Sequence, residues 1–153
     1  MTLKAGDKAP GFTAMDQDGK EISLNDYKGK KVALYFYPKD DTPGCTEQAC
    51  NLRDNFSALK QKGVVVLGVS IDPVKKHKKF ETKYTLPFTL VSDEDKAIVN
   101  EYGLWAEKKF WGKTYMGTMR TTFLINEDGV IDHIIDKVDT KEHTQQIIDT
   151  WGI

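Results

Sequence analysis

Val32-Ala33-Leu34-Tyr35-Phe36-Tyr37-Pro38-Lys39-Asp40-Asp41-Thr42-Pro43-Gly44-Cys45-Thr46-Glu47-Gln48-Ala49-Cys50 is the stretch that decides the fold. Its first six residues are apolar without alternation, the pattern of a strand covered on both faces. Pro38, with no N–H to give a sheet ladder, stops it. After a loop, Ala49, Leu52, Phe56 and Leu59 recur at helical spacing, which predicts a helix from about Cys45 to Gln61 with Gly63 as its stop. A buried strand that feeds a helix is one step of an alternating α/β chain.

Outward from this step the alternation continues. Residues 64–71, Val-Val-Val-Leu-Gly-Val-Ser-Ile, form a second buried strand, and Asp72-Pro73 reads as the cap and first residue of a helix reaching about Tyr84. A strand over residues 88–91 follows, then Ser92-Asp93 capping a helix from about Glu94 to Tyr102. Beyond a loop rich in Gly, Trp and Lys, strands over 121–126 and 130–136 flank Glu127-Asp128-Gly129, a hairpin signal, and a last helix runs from near Thr140 to Trp151. Upstream, residues 11–15 and 21–24 flank Asp18-Gly19 as a small hairpin. The order predicts an α/β, thioredoxin-like sandwich: a central mixed β-sheet flanked by helices, with an N-terminal β-hairpin. No repeat, linker or low-complexity tract divides residues 1–153, so a single domain is expected.

Composition narrows the function. With 22 basic against 23 acidic residues, the 153-residue chain has no general pull toward nucleic acid or anionic lipid. No window approaches the ~20 apolar residues that span a bilayer, and residues 1–7 have no signal-peptide character, so a cytoplasmic location is expected and a membrane partner is not. Reducing thiol pools there keep most disulfides open, which makes the two cysteines poor candidates for a structural staple.

Position gives those cysteines a chemical reading. Cys45 falls in the first turn of its helix, where unpaired N–H groups and the positive end of the helix dipole favour thiolate over thiol. For a thiol in general, lowering the pKa from about 8.5 to about 6 raises the thiolate fraction at pH 7 roughly 30-fold. Intrinsic nucleophilicity falls by ~10–20-fold over the same shift, so the net gain is small. A catalyst built on Cys45 therefore also needs preorganised donors. The candidates are the Thr42 hydroxyl, the N–H groups of Gly44 and Cys45, and an arginine: the basic residues are lysines except for Arg53 and Arg120. Arg120 opens the apolar strand at 121 and offers a fixed fork of donors to an anionic sulfur and a polar oxygen, although a strand-end surface ion pair explains it equally well. Arg53, on the helix after Cys50, reads as structural.

Cys45 and Cys50 stand five residues apart. On an intact helix that places their Cα atoms ~8–9 Å apart, beyond the ~7 Å that disulfides tolerate. If they pair, the first turns must unwind and the redox state selects between two conformations. Composition alone leaves them as ordinary core or surface thiols. A C-x4-C pair supplies too few ligands for zinc, and His77, His133 and His143 are scattered without ligand spacing, so no metal is expected.

Pro38-x-x-x-Thr42-x-x-Cys45 resembles the active-site motif of peroxiredoxins. With Cys50 five residues on, and with Phe36-Tyr37-Pro38-Lys39-Asp40 and Thr42-Pro43-Gly44-Cys45-Thr46 around it, the segment is similar to the bacterioferritin comigratory protein, or peroxiredoxin Q, subfamily. The likeness covers nearly the whole chain: Gly6-Asp7-x-Ala9-Pro10-x-Phe12, Gly103-Leu104-Trp105-x-Glu107-Lys108-Lys109, Gly112-Lys113-Thr114-Tyr115 and Arg120-x-Thr122-Phe123-Leu124-Ile125 all belong to it.

The resemblance implies a thiol-specific peroxidase reducing hydrogen peroxide and organic hydroperoxides to water and alcohols, without a cofactor. It makes Cys45 the peroxidatic cysteine, passing through a sulfenic acid. Thr42 and Arg120, with the Gly44 and Cys45 N–H groups, would bind and polarise the peroxide; Pro38 would shield the sulfenate and Gln48 steady the arginine. Cys50 would resolve the sulfenic acid as an intramolecular disulfide that thioredoxin or a similar thiol reductant reopens. Resolution within one chain suits a monomer. Two rivals remain: a protein dithiol-disulfide oxidoreductase, although its usual C-x-x-C is missing, and a redox-sensing thiol switch. Lys75-Lys76-His77-Lys78-Lys79 reads as a solvated helix face. Phe110, Trp111, Tyr115 and Met119 read as core packing or loop burial, with an apolar wall for organic hydroperoxides as the alternative.

Overall fold

Seven strands form a mixed sheet that is buried on both faces, as the apolar run at its centre requires. The computed structural model describes residues 3–153; Met1 and Thr2, at the start of the amino-terminal stretch considered above, lie outside them. Strands β1 (Thr13–Met15) and β2 (Glu21–Ser23) make the N-terminal hairpin, and a single 3-10 turn (Leu24–Tyr27) leads to β3 (Lys31–Phe36). Then come α1 (Pro43–Asp54), α2 (Phe56–Gln61), β4 (Val64–Ser70), α3 (Val74–Tyr84), β5 (Thr89–Ser92) and α4 (Ala97–Glu101). The chain closes with β6 (Trp105–Phe110), β7 (Lys113–Thr118), β8 (Thr121–Ile125), β9 (Ile131–Ile135) and α5 (His143–Trp151).

The sheet order is β2-β1-β5-β4-β3-β8-β9. β3, β4 and β5 run parallel, while β8 lies antiparallel to β3. Successive residues of β3 point to opposite faces: Val32, Leu34 and Phe36 join one core, whereas Ala33 and Tyr35 join the other. The second core takes Ala49 and Leu52 of α1, Leu59 of α2, Phe80 of α3 and Ile147 of α5. The first takes Ile98 and Val99 of α4 with Ile22 of the N-terminal hairpin. Each of the larger side chains here, Leu, Ile, Val or Phe, contributes about 1.5–3 kcal/mol when fully buried, and Leu52 with the smaller Ala49 fixes α1 against the sheet. This is a thioredoxin-like mixed α/β fold. Among the described residues no helix is long and apolar enough to cross a membrane.

Several local expectations are corrected. The helix expected over 45–61 is two helices, because Asn55 turns its amide back onto the Asn51 carbonyl (2.8 Å) and so competes with the backbone ladder. It also begins earlier, at Pro43, whose fixed φ and missing N–H suit a first helical position. Asp72 does not cap α3: Pro73 occupies that position and the Asp72 carboxylate turns inward. α4 starts only at Ala97, after Lys96 takes a left-handed φ of 65°, although Asp93 still accepts the Ile98 and Val99 N–H groups at 2.9 and 2.7 Å. The last helix starts at His143 rather than near Thr140.

The largest correction is the loop rich in Gly, Trp and Lys, which is the separate two-stranded hairpin of β6 and β7. It turns at Trp111 and Gly112, both at positive φ (53° and 73°), the conformation of a tight hairpin turn. Phe110, Trp111, Tyr115 and Met119 are exposed there, 87% in the case of Trp111, so the expected burial is overturned. With solvent reaching both faces, this hairpin has no apolar period to mark it in the sequence.

His143 gives a test of the packing between α5 and the sheet. Its Nε2 lies 2.8 Å from the Thr122 hydroxyl and its Nδ1 2.8 Å from Gln146 Oε1, while Gln146 Nε2 donates to the Lys137 carbonyl. Nδ1 therefore donates, Nε2 accepts, and the ring is neutral. Burial holds its pKa down to about 4 from 6.5, with the charge of Arg120 acting in the same direction. Below pH 6.5 the unfolded chain binds a proton that the folded one refuses. Stability is thus full above that pH and falls as pH drops toward about 4, by up to ~3 kcal/mol. Urea unfolding from pH 7.5 to 4 should show this loss, and His143→Gln should flatten that part of the profile; an unchanged slope in the variant would refute it.

Candidate active site

α1 leaves the end of β3 through the loop 37–42, with Thr42 in extended conformation (φ −101°, ψ 156°) as its N-cap residue. Pro43, Gly44 and Cys45 are then its first three helical residues. No side chain caps this end, so the Gly44 and Cys45 N–H groups, which have no intrahelical acceptor, point out of the first turn. Cys45 is 1% exposed. Such an end is electropositive and suited to an anionic sulfur.

The arginine arrives from the neighbouring antiparallel strand. Phe36 of β3 pairs with Thr121 of β8, so the residue before Thr121 lies where β3 ends and α1 begins. From there the Arg120 guanidinium forks, donating Nη2 to Cys45 Sγ at 3.3 Å and Nη1 to Gln48 Oε1 at 2.6 Å. Gln48 follows Cys45 by three residues on α1, on the same face, and is fully buried with its Nε2 unpartnered. A Cβ on Gly44 would sit 3.2 Å from Arg120 Nη2, so glycine is what lets the guanidinium lie this close over the first turn. The strand-end surface ion pair considered for Arg120 is not what the fold builds. Arg53 instead donates to Asp54 (2.9 Å) and to the Tyr84 carbonyl (2.8 Å), tying α1 to α3.

Thr42 departs from expectation. Its hydroxyl donates to the Lys39 carbonyl at 2.8 Å, so its one proton is spent and toward the site it offers lone pairs, not a donor. Pro38 is half-buried at the head of the same loop. Cys50 is a free, half-buried thiol on the same unbroken helix as Cys45.

Residues 5–134 match the AhpC/TSA family. Peroxiredoxin Bcp of Escherichia coli (strain K12) is 51% identical over 95% of this chain and 94% of its own length. Peroxiredoxin Bcp of Bacillus subtilis (strain 168) is 42% identical over 98% and 96%. Among solved structures, a PrxQ mutant of Xylella fastidiosa superposes with a TM-score of 0.92 at 29% identity, covering 99% of this chain and 97% of that one. The bacterioferritin comigratory protein of Xanthomonas campestris gives 0.86 at 31% identity over 92% and 90%. The chain belongs to the AhpC/TSA family, in its Bcp peroxiredoxin branch.

A Bcp peroxiredoxin is a thiol peroxidase, taking peroxide substrates and a thiol reductant. In this peroxiredoxin the fold brings Cys45, Gln48 and Arg120 into direct contact and sets Gly44 beneath the arginine. It holds Cys50 apart from Cys45. Two further groups near the peroxiredoxin site went unread in the sequence. Lys108 of β6 donates to the Thr118 carbonyl at 3.0 Å, and its pKa is pulled down by burial and then by Arg120, with Cys45 opposing. It is a second cation whose charge couples to that of the sulfur, noticed in the sequence only as part of a loop motif. The other is a buried cluster under the loop. His77, taken as part of a solvated lysine face, is fully buried, with Nδ1 2.6 Å from Asp40 Oδ2, and Asp72 lies beside them. Its lysine neighbours are exposed, as expected. Burial, and after it charge on Cys45, also pushes up the phenol of Tyr35, which shares a core with Cys45, so that ring is neutral.

Proposed function

We propose that this peroxiredoxin reduces hydrogen peroxide and organic hydroperoxides through a sulfenic acid at Cys45, resolved by Cys50 and recycled by thioredoxin or a similar thiol reductant. The observation that carries this is the Arg120 fork between Cys45 Sγ and Gln48 Oε1 at the open end of α1. The Cys45 thiolate attacks the terminal oxygen of the hydroperoxide. As the S–O bond forms, the O–O bond breaks and its electrons leave on the distal oxygen, which takes up a proton to become water or an alcohol. Sulfur is oxidised by two electrons and the peroxide reduced by two. Arg120 and the first-turn N–H groups face the charge that develops on the departing oxygen, and donors of this kind are worth about 10²–10³ in rate. Thr42, its own O–H donating to the Lys39 carbonyl, accepts a hydrogen bond from the O–H of the incoming hydroperoxide. Gln48 holds the guanidinium plane, and Pro38 shields the sulfenate.

Cys50 then attacks the sulfenic sulfur, releasing water and leaving a Cys45–Cys50 disulfide that an external dithiol reopens. A relative described for alkyl peroxide reduction, the Xanthomonas campestris protein, supports the organic substrates. Resolution within one chain suits a monomer in the cytoplasm, as a single domain.

The test is peroxide consumption with thioredoxin and glutaredoxin systems across hydrogen peroxide, cumene hydroperoxide and tert-butyl hydroperoxide. Steady turnover with thioredoxin is the expected result. One oxidation per chain without turnover would replace this function with a thiol switch.

A conformational prediction follows from α1 running unbroken through both cysteines. Because an intact helix keeps residues five apart beyond disulfide reach, oxidation must open its first turns. Amide exchange at residues 45–50 should accelerate by at least about 10²-fold in the disulfide form. Unchanged protection with the disulfide present would overturn the prediction.

A further inference from the structure

Beneath the loop that carries Thr42 lies a buried polar cluster to which the peroxidase mechanism gives no part. β3 and β4 are parallel neighbours, so the loops at their carboxyl ends meet: Asp40 follows one strand and Asp72 the other. The Asp72 carboxylate is 6% exposed and accepts the Asp40 N–H (2.8 Å) and the Ser70 hydroxyl (2.7 Å) on the same oxygen, Oδ2. Its own backbone is fixed in turn, since the Asp72 N–H donates to Ser70 Oγ at 3.1 Å and its carbonyl accepts the Ser92 hydroxyl at 2.7 Å. The Asp40 side chain is held by the Tyr37 hydroxyl on Oδ1 (2.5 Å) and by His77 on Oδ2. His77 Nε2 lies 2.9 Å from the Val91 carbonyl, which can only accept, so Nε2 carries a proton and the ring is locked by both nitrogens.

The peptide between Lys39 and Asp40 is the object all of this holds. A trans peptide is planar, with its C=O and N–H pointing in opposite directions. Asp72 takes the N–H on one side, and on the other side the carbonyl receives the Thr42 hydroxyl at 2.8 Å. Fixing one end of the plane fixes the other. If the plane turned, the Thr42 hydroxyl would lose that acceptor and point its own O–H, a donor, where the O–H of a hydroperoxide needs an acceptor.

We propose that Asp72, with the His77–Asp40 pair, is a positioning group for the peroxidase site: it sets the direction of the Lys39–Asp40 peptide and thereby makes Thr42 an acceptor toward the substrate. This deepens the function proposed above and rests on it.

The test separates the two chemical steps. In single-turnover oxidation of the reduced protein by hydrogen peroxide, Asp72→Ala should slow Cys45 oxidation by about 10-fold or more, the usual loss for one hydrogen bond to a charged group. Asp72→Asn keeps a carbonyl oxygen where Oδ2 stood and should stay within about threefold of wild type. Disulfide formation from the Cys45 sulfenic acid should stay within about twofold in both, whereas a structural defect would slow both steps. A second pair decides the matter should Asp72→Ala not fold. His77→Asn places an amide N–H where Nδ1 faced Asp40 and should retain fast oxidation. His77→Gln places it where Nε2 faced Val91, leaves Asp40 without that hydrogen-bond partner, and should be slow. Folded Asp72→Ala oxidising at the wild-type rate, Asp72→Asn as slow as Asp72→Ala, or the two His77 variants equally slow, would each overturn the proposal. A wild-type protein that hydrogen peroxide leaves unoxidised at Cys45 would instead overturn the peroxidase function itself.

Discussion

Cys45→Ser is expected to abolish peroxide turnover, by at least about 10³-fold, because a serine hydroxyl at neutral pH is neither ionised nor able to be oxidised as a thiol is. The site is 1% exposed, and the serine hydroxyl keeps the Arg120 guanidinium as a donor, so thermal unfolding of the variant separates the chemical loss from any loss of folding. Cys50→Ser is the matching control. That protein should still consume one peroxide per chain and accumulate a Cys45 sulfenic acid, trappable by dimedone, yet form no disulfide and fail to cycle with thioredoxin. A Cys45→Ser protein that consumes peroxide as the wild type does would remove Cys45 from the mechanism.

Arg120→Lys carries the second large effect. The guanidinium serves Cys45 Sγ at 3.3 Å and Gln48 Oε1 at 2.6 Å from two different nitrogens in one plane. An ammonium keeps the charge but is a single nitrogen on a flexible stem, so it cannot hold both partners in fixed directions. It also leaves Gln48, whose Nε2 is already unpartnered, buried with a second unmet polar atom. Cys45 oxidation should slow by about 10²-fold, while disulfide formation by Cys50 is much less affected. Stopped-flow oxidation of the reduced variant measures this directly. A rate within about twofold of wild type would show that positive charge alone, without the fork, is sufficient.

Much of this protein is legible locally. The unbroken apolar run 32–37, short, rich in aromatics and stopped by Pro38, reads as a strand covered on both faces, and β3 has its side chains divided between two cores. Asp18-Gly19 and Asp128-Gly129 mark turns because Gly19 and Gly129 take positive φ (74° and 78°), which most side chains resist. That a helix carries Cys45 in its first turn follows from the helical spacing of Ala49 and Leu52, although that spacing does not mark its start at Pro43, two residues earlier. Arg120 stands out as one of two arginines among 22 basic residues, but that count leaves a surface ion pair equally open, and only its position against Cys45 and Gln48 separates the two. Elsewhere the sequence misleads for definable reasons. The β6–β7 hairpin is wet on both faces and carries no period, and Asn55 breaks a helix whose apolar spacing runs straight through it.

Residue type and spacing thus determined the strand-helix alternation, the two turns and the placing of a thiol at a helix start, because burial period and backbone preference are set by neighbours a few positions away. Only the tertiary structure decided the direction of the Thr42 proton, the forked reach of Arg120 and the meeting of Asp40 with His77, 37 residues further on. A hydrogen bond has a direction fixed by both its partners. When the partner lies on another strand or helix, no local pattern can contain it.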